Sequence, residues 1–217
     1  MTPPVVLHPA VALAAREAVE PAAPAPRPVD LARAERAVRE LLLALGEDPA
    51  RDGLRETPER VARALAEMTA GMRDDAGRHL ARTFAEASDE LVVVRDVQFH
   101  SLCEHHLLPF SGVAHVAYLP AGGRVVGLSK LARTVDVFAR RPQVQERLTA
   151  QIADAITLHL DAEAVGVMLE SEHLCMKVRG ARQPSSTMVT TAWRGRWKVD
   201  SHRRAEVAPL LRGAAPR

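Results

Sequence analysis

The sequence predicts an α+β fold built on an antiparallel sheet. Its apolar residues follow helical spacing first, then strand alternation, and then both patterns once more, so the predicted order is two helices, strands, two helices, strands. The sequence shows no internal repeat of the length used by solenoid proteins. With 217 residues, 47% of them hydrophobic, the chain is long enough for one domain of ordinary size with a buried core.

The N-terminal segment differs in composition from the rest of the chain. Residues 1–28 are rich in proline and alanine, and proline removes backbone donors and blocks helices. We therefore predict a disordered tail over residues 1–28. The folded domain is expected over residues 29–217, with N-terminal helices in 29–72 and the core of the fold in 90–217.

A pair of helices is predicted at the start of this domain. Asp30 can cap the first helix, whose apolar residues recur at helical spacing until Gly46 stops it. Thr57 is the expected N-cap of the second helix, and Pro58 suits its first position.

The core elements follow a polar stretch over residues 70–90, which is expected to be irregular. The predicted elements are a strand over 91–99 leading into a turn at Cys103, strands over 113–119 and 124–127, a helix capped by Ser129 and ended at Arg141-Pro142, a long helix over 144–160, strands over 164–170 and 187–193, and a last helix from Asp200.

Both cysteines of the chain lie close to histidines, in the stretches 101–106 and 172–175. Thiolate sulfur and imidazole nitrogen are the usual zinc ligands, and Cys103 and His106 are separated by one turn of backbone. Cys175 can supply a third ligand, which leaves one tetrahedral position open, as in catalytic zinc sites. The alternative is that the cysteines are buried small hydrophobic residues and the histidines satisfied polar groups.

Composition and charge exclude several classes of function. The formal net charge is +2, which gives no strong basic field for nucleic acid. No apolar run reaches the roughly 18 residues that span a bilayer, and no basic patch with an apolar segment marks an export signal. We therefore expect a cytoplasmic protein without a membrane partner, whose thiols stay reduced and free for metal.

Four sequence blocks stand out along the chain: Cys103–Phe110, Gly127–Arg133, Arg141–Thr149, and Glu172–Met176 with Arg179-Gly180. Together they resemble the GTP cyclohydrolase I family, and the similarity runs in order from about residue 30 to 211. The resemblance implies a tunnelling fold with helices outside the sheet, and toroidal homodecamers of two pentamers whose sites lie between subunits. It further implies zinc-dependent hydrolysis of GTP to 7,8-dihydroneopterin triphosphate and formate, the first step towards tetrahydrofolate-type pterins.

The resemblance also implies a role for individual residues. The implied zinc ligands are Cys103, His106 and Cys175, and the implied catalytic residues are His105, His173 and, near the ribose, Ser129. Gln145 and Glu146 form the implied guanine anchor. The implied triphosphate contacts are Lys130, Arg133, Arg179 and, from a neighbouring subunit, Arg60 and Arg63. From pattern alone, the arginines of the second helix could equally form a solvated helix face.

The implied chemistry agrees with the residue types. Zinc makes water nucleophilic at neutral pH, and histidine exchanges protons near that pH. A buried carboxylate at Glu146 can accept hydrogen bonds from guanine N1–H and the 2-amino group, which adenine cannot offer. Since His173 and Cys175 are two residues apart on a predicted strand, both should point to the same face.

Three other functions remain open from the sequence. A nitrile reductase of the queuosine pathway would use a nucleophilic cysteine without zinc, and a pyruvoyl-pterin synthase would use three histidines. A zinc-bearing interaction domain would close its site with four ligands. The combination of two cysteines and three nearby histidines argues against the first two, and no fourth ligand is visible for the third.

Overall fold

The computed structural model describes residues 27–86 and 89–212, so all but the last two residues of the disordered tail predicted over 1–28 lie outside the described residues. The central element is a five-stranded sheet with the strand order β5-β2-β3-β6-β7. All its strand pairs are antiparallel except the short parallel pairing of β5 with β2. The strands are β1 (Thr83–Ala85), β2 (Val92–Cys103), β3 (Pro109–Leu119), β4 (Arg124–Val126), β5 (Pro142–Gln143), β6 (Ala164–His173) and β7 (Met188–Gly195).

The helices complete an α+β architecture, which confirms the predicted fold class and the antiparallel sheet expected of a tunnelling-fold subunit. No helix among the described residues is long and apolar enough to cross a membrane. The helices are α1 (Leu31–Ala44), α2 (Thr57–Met68), α3 (Ala76–Leu80), α4 (Leu128–Ala139), α5 (Gln145–Leu160), α6 (Leu174–Lys177), α7 (Arg196–Val199) and α8 (Ser201–Arg212), with a 3-10 turn at Ala70–Arg73.

The sheet buries a different cluster of side chains on each face. Helices α4 and α5 cover the first face, where the alternate residues Ala114, Val116 and Tyr118 of β3 contribute to the larger cluster. The residues between them point to the second face, where Ala117 packs with Trp197 and the apolar side of α8. This period-two alternation is the pattern that identified the strands from the sequence.

The N-terminal helical pair is confirmed, but one of its predicted caps is wrong. The Asp30 carboxylate accepts from the Arg33 backbone N–H at 2.9 Å and caps α1 as expected. Thr57, by contrast, is the first residue of α2, because the preceding Glu56 already has near-helical backbone angles. The Thr57 hydroxyl donates instead to the Gly53 carbonyl at 3.4 Å.

Ser129 does not cap α4 either. The cap position belongs to Gly127, the residue directly after β4, whose backbone is still extended, so Ser129 lies inside the first turn. Residues 70–90 are also more regular than expected, since they include the 3-10 turn, α3 and β1. Strand β1 pairs with β4 in a separate two-stranded sheet, and each of these elements is too short to show a period in the sequence.

Candidate active site

The turn between β2 and β3 places the first two candidate ligands. Strand β2 ends at Cys103, whose N–H donates to the Leu108 carbonyl at 2.9 Å, while its carbonyl accepts from the Leu107 N–H at 2.8 Å. Leu107 adopts a left-handed backbone (φ 53°), which closes this tight turn. His106 is thereby directed back towards Cys103, with 3.8 Å between its Nδ1 and the cysteine Sγ.

Strand β6 brings the third candidate ligand to the same end of the sheet. His173, its last residue, pairs with Phe110 at the start of β3, and the chain then enters α6, which carries Cys175. Cys175 therefore lies on a short helix and not on the strand predicted for it. The ligand atoms of Cys103, His106 and Cys175 all lie within 4.8 Å of one another.

These three side chains fit a tetrahedral zinc ion. Bonds of about 2.3 Å to sulfur and 2.1 Å to nitrogen place the two ligand atoms about 3.6 Å apart, close to the 3.8 Å between Cys103 Sγ and His106 Nδ1. Burial and the hydrogen bond with the Cys103 thiol raise the pKa of Cys175. A divalent cation held between the two cysteines would offset this effect, because it stabilises thiolates.

The two adjacent histidines of the turn point in different directions. The rings of His105 and His106 are perpendicular, with centroids 6.3 Å apart. Both residues are exposed, and His106 faces the thiols, so His105 is not part of the three-residue cluster. A guanidinium nitrogen of Arg179 lies 3.2 Å from His106 Nε2, which brings this arginine to the cluster.

His173 is held in a fixed orientation next to Cys175. Its ring stacks on Phe110 with centroids 4.4 Å apart and planes inclined by 5°. Its Nε2 lies 2.9 Å from the Gln145 side-chain oxygen, which can only accept, so Nε2 carries the proton and Nδ1 keeps its lone pair. Burial lowers the pKa of His173, and the nearby Glu146 carboxylate partly opposes this effect.

Gln145 is buried and its side chain is fully engaged by protein atoms. The two N–H groups of the amide are shared among three acceptors, the carbonyls of Leu169 and Met188 and the Thr190 hydroxyl, at 3.0 to 3.2 Å. The amide oxygen accepts from the Ser171 hydroxyl at 2.6 Å and from His173. The resemblance implied that Gln145 lies beside the guanine anchor, and its side chain joins helix α5 to strands β6 and β7.

Glu146 occupies the first turn of α5, immediately after Gln145. It is exposed in the single chain, although the sequence reasoning expected a buried carboxylate. Within the part of the chain that the structure describes, no cation pairs with it at ion-pair distance. Its carboxylate is therefore open to a ligand at the same end of the sheet as the cysteines.

Three other candidate residues, Ser129, Lys130 and Arg133, lie at the opposite end of the sheet. They belong to the start of α4, which follows Val126, whose N–H donates to the Tyr118 hydroxyl at 3.3 Å. Helix α4 ends near the cysteines, where the Ser101 hydroxyl donates to the Arg141 carbonyl. A helix of this length spans about 18 Å, so within one chain the start of α4 lies well away from the cysteine cluster.

Arg60 and Arg63 are exposed on α2 and engaged by acidic residues near its start. They pair with Glu56 and Glu59, one turn earlier in each case. The structure of a single chain does not bring these arginines into the cysteine cluster. Both side chains keep the solvated arrangement that was the alternative reading of their spacing.

Sequence reasoning missed two residues that support His173. Phe110 supplies the ring on which the imidazole stacks, and Ser171 donates to the same amide oxygen as the imidazole. Phe110 lies inside a recognised sequence block, which was the available signal, although its aromatic ring looks like an ordinary core residue. Ser171 carried no signal, because only the strand register places its hydroxyl near Gln145.

Comparisons with known proteins agree on one family. The family model described as GTP cyclohydrolase I matches residues 34–212. The protein named GTP cyclohydrolase 1 from Rhodopirellula baltica is 62% identical over 187 residues, covering 86% of this chain and 81% of that protein. Proteins of the same name from Corynebacterium aurimucosum and a Geobacillus species are 58% and 53% identical, covering 87% and 85% of this chain and 97% and 98% of theirs. This chain is therefore a member of the GTP cyclohydrolase I family.

Proposed function

We propose that this chain hydrolyses GTP at guanine C8 and rearranges the product to 7,8-dihydroneopterin triphosphate and formate, the first step towards tetrahydrofolate-type pterins. The observation that carries the proposal is the Cys103–His106–Cys175 cluster with His173 beside it, in a chain of the GTP cyclohydrolase I family. Its relatives bear the name of that activity.

Cys103, His106 and Cys175 would hold the zinc ion in this proposal. Bound there, zinc supplies the Lewis acidity that makes water nucleophilic at neutral pH. The two cysteines are free and not paired in a disulfide, which suits metal binding and favours a reducing compartment such as the cytoplasm.

His173 and His105 are the proposed proton carriers. The Nδ1 lone pair of His173 is kept available by the hydrogen bond that Nε2 donates to Gln145, so His173 can accept a proton. Its lowered pKa keeps the ring neutral at neutral pH, which is the state a general base needs. His105 is exposed at the other side of the turn and can exchange protons with solvent.

Glu146 is the proposed guanine anchor. An ionised carboxylate accepts two hydrogen bonds, which matches the N1–H and 2-amino donors of guanine. Gln145 would contribute by holding His173 and the start of α5, since its own donors and acceptor already have protein partners. Arg179, adjacent to His106, would contact the triphosphate.

A complete site requires a second copy of the chain in this proposal. Lys130 and Arg133 suit a triphosphate and Ser129 a ribose hydroxyl, but all three lie at the far end of the sheet from the cysteines. A closed ring of subunits would place the start of α4 of one copy against the cysteine cluster of the next. We propose a homodecamer of two pentamers, in which Arg60 and Arg63 also reach a neighbour's site.

The test is incubation of the zinc-loaded protein with GTP, followed by oxidation and dephosphorylation. Fluorescent neopterin and an equal amount of formate are the expected products. A protein that holds zinc but leaves GTP intact would contradict the proposal and favour the zinc-bearing interaction domain. Reduction of a nitrile substrate would indicate the nitrile reductase instead.

A further inference from the structure

An ion pair joins the turn between β2 and β3, which carries the proposed metal ligands Cys103 and His106, to α5, the helix that carries Gln145 and Glu146. Glu104 lies in this turn, directly after Cys103, and its carboxylate contacts the Arg147 guanidinium through both oxygens. The two residues are 43 positions apart in the sequence. A guanidinium that contacts both oxygens of a carboxylate fixes the relative orientation of the two groups as well as their distance.

The arginine of this pair is itself held by a buried side chain. Its Nε donates to the Gln143 side-chain oxygen at 3.0 Å. Gln143 is 2% exposed, and its nitrogen donates to the Phe138 carbonyl at 3.0 Å and to the Gln151 side-chain oxygen at 2.9 Å. One edge of the guanidinium is therefore held by a buried amide of the core.

The backbone joins the same two segments. The Glu104 N–H donates to the Gln143 carbonyl at 3.0 Å, and Cys103 pairs with Gln143 in the parallel pairing of β2 with β5. Beyond Glu104 the turn bonds to itself, since the N–H groups of His106 and Leu107 donate to the Cys103 carbonyl, and residues 104–107 are exposed. Among the described residues, the Glu104–Arg147 pair is the side-chain ion pair that continues the link into the turn.

We infer that Glu104 and Arg147 are positioning residues, which hold the Cys103–His106 turn in the geometry that binds the metal. The inference rests on the proposed zinc site and concerns two residues that have no role in the family resemblance or in the comparisons. Partly exposed ion pairs contribute little to global stability. The expected effect of breaking this pair is therefore on metal affinity and not on folding.

The experiment measures zinc affinity and thermal stability separately. Glu104→Gln, Arg147→Gln and the double variant are prepared as full chains, and zinc is titrated against a chromophoric chelator. The matched control is Asp154→Asn, which breaks the ion pair between α5 and Arg194 of β7, a pair of similar exposure. Melting temperatures are recorded for the metal-free proteins.

We expect about 10- to 100-fold weaker zinc binding in both single variants, the usual effect of removing a group that orients a metal ligand. The double variant should bind zinc no more weakly than either single variant, because each residue acts through its partner. Asp154→Asn should bind zinc as the unchanged chain does. Metal-free melting temperatures should agree within about 4 °C, the shift expected for a small stability change in a chain of this size.

Two results would overturn the inference. Unchanged zinc affinity in the Glu104 and Arg147 variants would show that the turn keeps its geometry without the pair. Weaker zinc binding together with a large decrease in the melting temperature of the metal-free variants would indicate a general structural role. If the unchanged chain binds no zinc at all, the proposed metal site and this inference are both wrong. That result is seen without any variant, so it is distinguishable from a failure of this inference alone.

Discussion

At the residue scale, the proposed guanine anchor is the side chain that most directly controls substrate choice. Replacing Glu146 with Gln removes the charge and turns one acceptor into a donor that faces the guanine donors. Losing such a charge-assisted contact costs about 2–4 kcal/mol, so we expect kcat/KM for GTP to fall about 30- to 1000-fold with zinc content unchanged. Steady-state kinetics and metal analysis check this result.

Arg179→Ala provides the comparison for that variant. Triphosphate contacts persist through the reaction, so its loss should mainly raise KM while kcat changes little. Equal turnover by Glu146→Gln and the unchanged chain would remove Glu146 from the site.

Single substitutions should distinguish the metal ligands from the proton carriers by their effects on zinc content and turnover. Cys175→Ser should lose zinc and hydrolysis together, because a three-ligand site tolerates no missing ligand. His105→Ala and His173→Ala should keep zinc and slow the reaction about 100- to 10,000-fold, the usual cost of a missing general acid or base. Metal analysis beside turnover checks all three variants. A His173 variant without zinc, together with a Cys175 variant that retains it, would reverse the ligand assignment.

At the element scale, one buried amide joins α5 to β6 and β7 and orients His173. Gln145→Met keeps the volume but removes the hydrogen bond to the imidazole. We expect kcat to fall about 10- to 100-fold, because small displacements of a catalytic group have effects of that size, while KM stays nearly constant. A rise in KM with constant kcat would instead indicate that Gln145 contacts the substrate directly.

Thr190→Val is the matched control for this network. It removes the bonds that Thr190 makes with Gln145 and Thr149 but leaves the Gln145–His173 bond in place. Stability should fall by about 1 kcal/mol while kcat is unchanged. Turnover and chemical unfolding of both variants separate the orientation of His173 from the stability of the sheet.

A bulge between β2 and β3 gives the fold a pH dependence away from the candidate active site. His115 is buried on β3, and its Nδ1 accepts from the N–H of Asp96, the bulge residue with φ 60°. Burial lowers the pKa of His115, partly opposed by Asp96 and Glu170. The folded chain therefore binds this proton less readily than the unfolded chain, and stability falls as pH decreases below about 6.5.

The measurement is the melting temperature of the metal-free protein between pH 7.5 and 5.5. Carboxylates are still ionised in this range, so the histidines with lowered pKa, His115 and His173, dominate the change. His115→Gln should show a clearly smaller decrease over the same range. If the melting temperature of the variant decreases by the same amount, His115 is not a source of the pH dependence.

At the scale of the whole molecule, the candidate residues lie in two groups at opposite ends of the sheet. If each site combines the cysteine cluster of one subunit with the start of α4 of another, two inactive variants should complement each other. Cys175→Ser and Lys130→Glu should each have little activity at low GTP. In mixed oligomers produced by co-expression, about a quarter of the sites receive both intact groups by random assembly.

The recovered activity of these mixed oligomers is the measurement, and light scattering gives the assembly size. Absence of recovery in confirmed mixed oligomers would place both groups in one subunit. A fully active monomer would also contradict the arrangement.

The sequence by itself determined the fold class, most element positions and the identity of the cluster. Strand alternation and helical spacing are local patterns, so they identified the strands around Cys103 and His173 and the helices around them. Two cysteines with nearby histidines also have few chemical uses, and the structure does bring Cys103, His106 and Cys175 together. The predicted caps Thr57 and Ser129 were wrong by one or two positions, because the backbone before a helix depends on the turn that precedes it.

Only the tertiary structure decided how the site residues are supported and distributed. The Gln145 bonds, the stacking of His173 on Phe110 and the Glu104–Arg147 pair connect residues far apart in sequence, and the register of β3 with β6 sets which of them meet. The separation of Lys130 and Arg133 from the cysteines follows from the direction of α4 across the sheet. Local sequence spacing carries no information on the support or the distribution of the site residues, because both depend on how distant segments pack.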